Sequence, residues 1–115
     1  IQMGIDTAIP LGLIINELIS NSIKHGFSDR GDGNIALVIT ESADRQITVI
    51  YTDNGKGVPD NFDFRNQQSL GIQILFMIVE HQLNGKINFG NAGTGNGLAC
   101  TVVFENPDKQ MIVEL

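Results

Sequence analysis

The stretch NELISNSIKHGF, residues 16–27, sets two asparagines, two serines and a histidine into a segment with good helical apolar spacing. Ser and Asn are mediocre helix formers, because their side chains compete for backbone hydrogen bonds. A merely solvated face is more usually filled with Glu, Lys, Gln or Arg. Glu17, Asn21 and Lys24 follow i, i+4, i+7 spacing and share one face, opposite the apolar stripe. An Asn amide oxygen is a neutral, hard ligand suited to Mg²⁺, an ion that keeps several waters and binds through one or two protein groups plus phosphates. Lys24, one turn on, can meet a phosphate. Glu17, one turn back, can orient a water or a nucleophile. Taken alone, the spacing fits an ordinary wet helix face equally well.

A second group is YTDNGKGVP, residues 51–59, where an apolar strand runs into Asp-x-Gly-x-Gly. Gly55 and Gly57 carry no Cβ and let backbone approach a flat ligand. Asp53, an acceptor only, can take a hydrogen bond from the exocyclic amine of adenine, where guanine presents a carbonyl. Asp-Asn-Gly is also common turn chemistry, so this motif is weak by itself. SLGIQI (69–74) puts Gly71 in the first turn of a helix, whose free amides and partial positive charge suit phosphate. GTGNG (93–97) adds backbone freedom before the last apolar strand. Helix–sheet packing and a plain hairpin are the competing readings of these two.

Other glycine motifs fail. There is no G-x-x-x-x-G-K-[ST] string, and Gly57 is followed by loop rather than by the helix a dinucleotide fingerprint needs. The V-A-I-K, H-R-D and D-F-G set of protein kinases is absent. Gly55 and Gly57 stand where a calcium loop would carry acids. No Ser/His/Asp or Cys/His nucleophile set is discernible, and His81 reads as a residue on the rim of the second helix.

These residues need a frame. Leu11, Ile14, Ile15, Leu18, Ile19 and Ile23 recur at three- and four-residue intervals and predict a helix capped by Asp6 or Thr7, running to about His25 and ended by Gly26. IALVIT (35–40) and QITVIYTD (46–53) predict a hairpin, and residues 54–68 a long loop. Ser69 is placed to cap a second, mostly buried helix over 70–84, with Gly85 as its left-handed C-cap. KINF (86–89) and LACTVVFE (98–105) predict a second hairpin. The order α-β-β-loop-α-β-β predicts an α+β two-layer sandwich, its sheet largely antiparallel and both helices on one face.

The 115 residues suit one domain, and 42 % hydrophobic with 17 % charged content reads as globular. A net charge of −6 argues against nucleic acid and against an acidic membrane surface, which need basic patches. The single cysteine, Cys100, forms no internal disulfide and reads as core. Nothing resembles a signal peptide, and the longest apolar run, ILFMIV, is far short of the ~20 residues that span a bilayer. The expectation is a cytoplasmic segment, a fragment of something longer.

In order, NELISNSIKHG, DNGKG, SLGI and GTG resemble the N, G1, G2 and final glycine boxes of the ATP-binding catalytic domains of sensor histidine kinases, members of the Bergerat-fold ATPases. GLIINELISNSIKHGF is similar to the kinases whose dimerisation domain is of the second, HWE-related type. The resemblance covers residues 5–105 and implies a mixed, mostly antiparallel Bergerat sheet. It also implies Mg·ATP binding and transfer of the γ-phosphoryl group to a histidine of a dimerisation domain, for relay to a response-regulator receiver domain. The full-length protein would then be a homodimer. The resemblance makes Asn21 the Mg²⁺ ligand, with Asn16 and Glu17 beside it and Glu17 a polarising group. Lys24 and His25 would lie near phosphates or ribose, Asp53 would read adenine, and Gly55 and Gly57 would make room for it. Residues 58–69 would form a short lid with Phe62 or Phe64 as its latch, while Leu70, Gly71 and Gly95 would line the phosphates. Asn96 stands after Gly95 where the family usually has Thr. A serine kinase of the anti-sigma-factor type and a non-catalytic nucleotide-binding module are the rival readings.

Overall fold

A computed structural model describes all residues except 29–30, 60, 68, 93–96, 108–111 and 115. A four-stranded sheet, in the order β2 (Ile35–Glu41), β3 (Gln46–Asp53), β5 (Leu98–Glu105), β4 (Lys86–Asn91), is antiparallel at every pair. Both hairpins predicted from alternation are present, β2–β3 and β4–β5. Strand alternation puts Ile47, Val49, Tyr51 and Asp53 of β3 on one face with Cys100, Val102 and Phe104 of β5, and all seven are buried. Helices α1 (Ile5–Asn21) and α2 (Leu70–Met77) supply Leu11, Ile14, Leu18 and Leu75 to the same core. Full burial of each such side chain stabilises by about 1.5–3 kcal/mol.

Both helices end in a π turn, Ser22–Gly26 after α1 and Ile78–Gln82 after α2. The first keeps Ser22 inward, at the position the apolar stripe would give a hydrophobe, and leaves Ile23, assigned to that stripe, 63 % exposed. The wider turn rotates the residues that follow it relative to a continued α-helix.

The caps differ from expectation. Helix α1 starts at Ile5 with Gly4 as its extended N-cap, so neither Asp6 nor Thr7 caps it, and Thr7 is buried within its first turn. Ser69 holds the N-cap position of α2 by its backbone alone, without a side-chain bond. The left-handed residue after the second π turn is Asn84 (φ 52°), not Gly85. The Gly85 N–H closes the turn onto the Val79 carbonyl at 2.8 Å, reaching one residue further back than the six-to-one bond of an ordinary helix C-terminus, as the wider π turn requires. A Cβ on Gly85 would sit 2.4 Å from the Val103 carbonyl oxygen, so close packing on β5 is what requires glycine there. Helix α2 is also less enclosed than its composition suggests, since Leu70 and Met77 are 71 % and 50 % exposed.

A small second sheet was not anticipated. Strand β1 (Gln2–Gly4) pairs antiparallel with β6 (Ile112–Glu114).

Candidate nucleotide-binding cleft

A cleft of about 440 Å³ opens where β3 ends, between the π turn after α1, the glycine loop and the loop leading to α2. Its lining is mostly apolar: Val58, Pro59, Phe62, Phe64, Ile72, Phe89 and Leu98. The polar exceptions include Asn21, His25, Lys56 and, on β3, the buried Asp53. An apolar slot with a few placed polar groups is the usual form of a small-molecule site.

Asp53 is held from three chain segments. Its Oδ1 accepts from the backbone N–H of Gly55 (2.9 Å) and of Leu98 (3.0 Å). Its Oδ2 accepts from the Ser22 hydroxyl at 2.7 Å. A carboxylate offers about four acceptor sites, so three are filled and one remains on Oδ2. Gly26 places no side chain over that oxygen; a Cβ there would lie 3.2 Å from it. The bottom of an apolar slot therefore carries one unspent acceptor, complementary to a flat base with an amine.

The glycine loop is fastened to the end of α1. The Lys56 N–H donates to the Gly26 carbonyl at 3.0 Å, and the Lys56 ammonium reaches the Ser28 hydroxyl at 3.2 Å. The glycines expected to make room for a base have nearer neighbours. A Cβ on Gly55 would stand 2.5 Å from the Gly26 oxygen, and one on Gly57 (φ +68°) 2.9 Å from Asn91 Oδ1 and the Gly97 oxygen. Both are required by the packing of the loop itself.

Of the residues singled out in the sequence, Asn21, His25, Asp53 and Gly57 line the cleft. Glu17 and Gly71 come together elsewhere: a Cβ on Gly71 would lie 2.6 Å from Glu17 Oε2. The Glu17 carboxylate thus lies against the first turn of α2, where free amides and the helix dipole favour negative charge. Asn16, Lys24 and Leu70 are exposed and do not line the cleft, and Gly95 lies outside the described residues. Ser22, Tyr51, Lys56 and Phe89 are not among the expected site residues. Ser22 and Tyr51 had a legible signal, since each is polar at a position the periodicity assigns to the core. Cys100 is core as expected, and burial pushes its thiol up to about 12.

The described residues of the segment expected to be a lid have several partners elsewhere in the chain. Phe64 stacks on Phe89 at 4.3 Å and 10°, with Phe62 edge-on to Phe64. Arg65 makes paired bonds of 3.0 and 2.7 Å to Glu80 and lies 4.4 Å over the Phe76 ring. Of the two phenylalanines expected to act as a latch, Phe64 is the one stacked on β4, and Arg65 adds a second fastening onto α2 and the π turn after it. Replacing Arg65 with Ala is expected to speed amide hydrogen exchange of residues 61–67 several-fold without nucleotide, as local opening becomes easier. Exchange unchanged in that variant would show that the aromatic stack alone holds the segment. The Arg65 guanidinium holds the Glu80 carboxyl below its ordinary 4.5, so the fastening persists at neutral pH and fails only as pH falls below that value.

The family of histidine kinase-, DNA gyrase B- and HSP90-like ATPases matches residues 6–110. Blue-light-activated histidine kinase 2 of Erythrobacter litoralis is 32 % identical over 95 residues, 83 % of this chain and 27 % of that protein. The structure of the Erythrobacter litoralis EL346 blue-light activated histidine kinase superposes with a TM-score of 0.78 at 29 % identity, covering 90 % of this chain and 32 % of that one. An anti-sigma F factor of Clostridium botulinum is 38 % identical over 56 residues, 49 % of this chain and 38 % of that protein. The chain thus spans about a quarter of the length of the blue-light kinase it matches.

Proposed function

Because the chain belongs to the histidine kinase-, DNA gyrase B- and HSP90-like ATPase family, we propose that it binds Mg·ATP in this cleft and serves as the catalytic domain of a sensor histidine kinase. In this reading the γ-phosphoryl group passes to a histidine of the dimerisation domain of the same, homodimeric protein, and then to a response-regulator receiver domain. Among the described residues no helix is long and apolar enough to cross a membrane, and a cytoplasmic location is part of the proposal.

The observation that carries the reading is Asp53, a carboxylate held by three donors in the wall of a cleft that Phe62, Phe64 and Phe89 also line, with one acceptor site left. The donor set also suits the metal. Among the described residues no three His, Cys, Asp or Glu gather to cage an ion. The Asn21 amide in the cleft wall offers one hard oxygen, which suits Mg²⁺ because that ion takes its other oxygens from water and phosphate. When bound, the ion would neutralise phosphate charge. Glu17 is placed to orient groups near the start of α2, and His25 and Lys56 to contact ribose or phosphate. Phosphoryl transfer of this kind rests on positioning and charge neutralisation.

The test is phosphate transfer. Alone, the chain is expected to bind Mg·ATP and label neither of its histidines, since His25 lines the nucleotide cleft and His81 belongs to the π turn after α2, so neither reaches the γ-phosphate in line. Mixed with a dimerisation domain carrying the acceptor histidine, it is expected to transfer label slowly in trans, the product being acid-labile and base-stable. Asn21→Ala should leave the melting temperature without nucleotide unchanged or raised, since Ala is the better helix former, while abolishing the transfer. Acid-stable label would instead favour a serine kinase, the reading suggested by the anti-sigma relative. Tight binding with no transfer to any acceptor would favour a non-catalytic nucleotide module.

A further inference from the structure

We propose that Tyr51 and Ser22 are positioning residues for base recognition, joined in a hydrogen-bond chain from Tyr51 through Ser22 to Asp53 that sets the preference for a base with an exocyclic amine. The inference rests on reading the cleft as an ATP site. Three contacts link buried groups: Ser22 Oγ to Asp53 Oδ2 at 2.7 Å, Ser22 Oγ to Tyr51 Oη at 2.5 Å, and Tyr51 Oη to the Leu18 carbonyl at 3.1 Å. The ionised carboxylate only accepts, so the Ser22 proton goes to Asp53. Ser22 then has none for Tyr51, and the phenol must donate to Ser22, its longer approach to Leu18 being the weaker share. Burial pushes the Tyr51 phenol above its ordinary value, which keeps that proton in place. The chain has one direction, and it ends on the carboxylate.

Its mechanical effect follows. Gly55 and Leu98 both donate to Oδ1, which leaves Oδ2 without a backbone donor among these bonds. Ser22 is the group that stops Oδ2 from swinging, and a serine polarised by a phenol is a stronger donor than a serine alone. The free acceptor site of Oδ2 is therefore held toward the cleft rather than merely available. Both hydroxyls stand at positions that periodicity assigns to the core, where Ala and Phe would pack without polar partners to satisfy.

The experiment titrates the wild-type chain and the Ser22→Ala and Tyr51→Phe variants with Mg·ATP and with Mg·inosine triphosphate, which carries a carbonyl in place of the amine. Melting temperatures without nucleotide are recorded alongside. The ratio of ATP to inosine triphosphate affinity is expected to fall about tenfold in Ser22→Ala and roughly threefold in Tyr51→Phe. A role in folding alone would weaken both nucleotides equally, and an unchanged ratio in both variants overturns the proposal. Should Ser22→Ala fail to fold, Tyr51→Phe, which keeps the ring in the core, decides the matter by the same ratio. A wild-type chain without preference for ATP would overturn the ATP reading itself, and the proposal with it.

Discussion

Asp53→Asn is expected to weaken Mg·ATP binding by ten- to a hundred-fold while leaving the chain folded. The amide oxygen of the new side chain can still accept from the Gly55 and Leu98 N–H groups, which preserves the joint between the glycine loop and β5. The amide nitrogen then replaces Oδ2, and it meets the amine of the base donor to donor. Losing a hydrogen bond to a charged acceptor costs on the order of 1.5–3 kcal/mol, which converts to the stated range. Calorimetry decides it. Unchanged affinity in a folded variant would remove Asp53 from the base site.

Gly55→Ala is expected to fail differently, by unfolding. The added carbon would lie 2.5 Å from the Gly26 oxygen and 2.8 Å from its Cα. Relief cannot come from moving that carbonyl, because it accepts the Lys56 N–H. Overpacking of this kind costs about 1–3 kcal/mol, so the melting temperature should fall on the order of 10 °C for a domain of this size. ATP binding should go with it, since Gly26 also flanks Asp53 Oδ2. Gly12→Ala is the control of opposite sign. Among the described residues nothing stands within 4 Å of a Cβ at that helical position, and Ala there should stabilise by about 0.5–1 kcal/mol. Equal melting of the Gly55 variant and the wild type would mean that the loop yields where the packing says it cannot.

The two helices, both hairpins and the glycine loop were legible because each has its own period or punctuation over eight residues or more. The β1–β6 pair was not: three residues carry no periodicity, and Gln2 meets Glu114 across nearly the whole chain. The π turns were equally hidden, and with them the outward rotation of Ile23 and the absence of Lys24 from the cleft lining. Asp53 was found for a chemical reason, as an acid before two glycines. The same alternation that buries Val49 and Tyr51 also marks it as inward, and following that parity would have exposed its partnership with Ser22. The fastening of residues 61–67 was beyond local reasoning. Phe64 with Phe89 and Arg65 with Glu80 are partners only once α2 and β4 lie side by side.

Cys100 lies directly across the ladder from Tyr51, on the strand pair that carries Asp53, and it is 1 % exposed. A thiol so placed is shut off from reagents in the closed sheet. As the sole sulfhydryl of the chain, it gives a single, unambiguous reaction. Its rate of modification therefore acts as a clock for opening of the core between the sheet and its helices. Each labelled molecule marks one opening of the scaffold under the carboxylate, so stabilisation by a bound nucleotide is expected to slow the labelling, with no residue that touches the cleft altered.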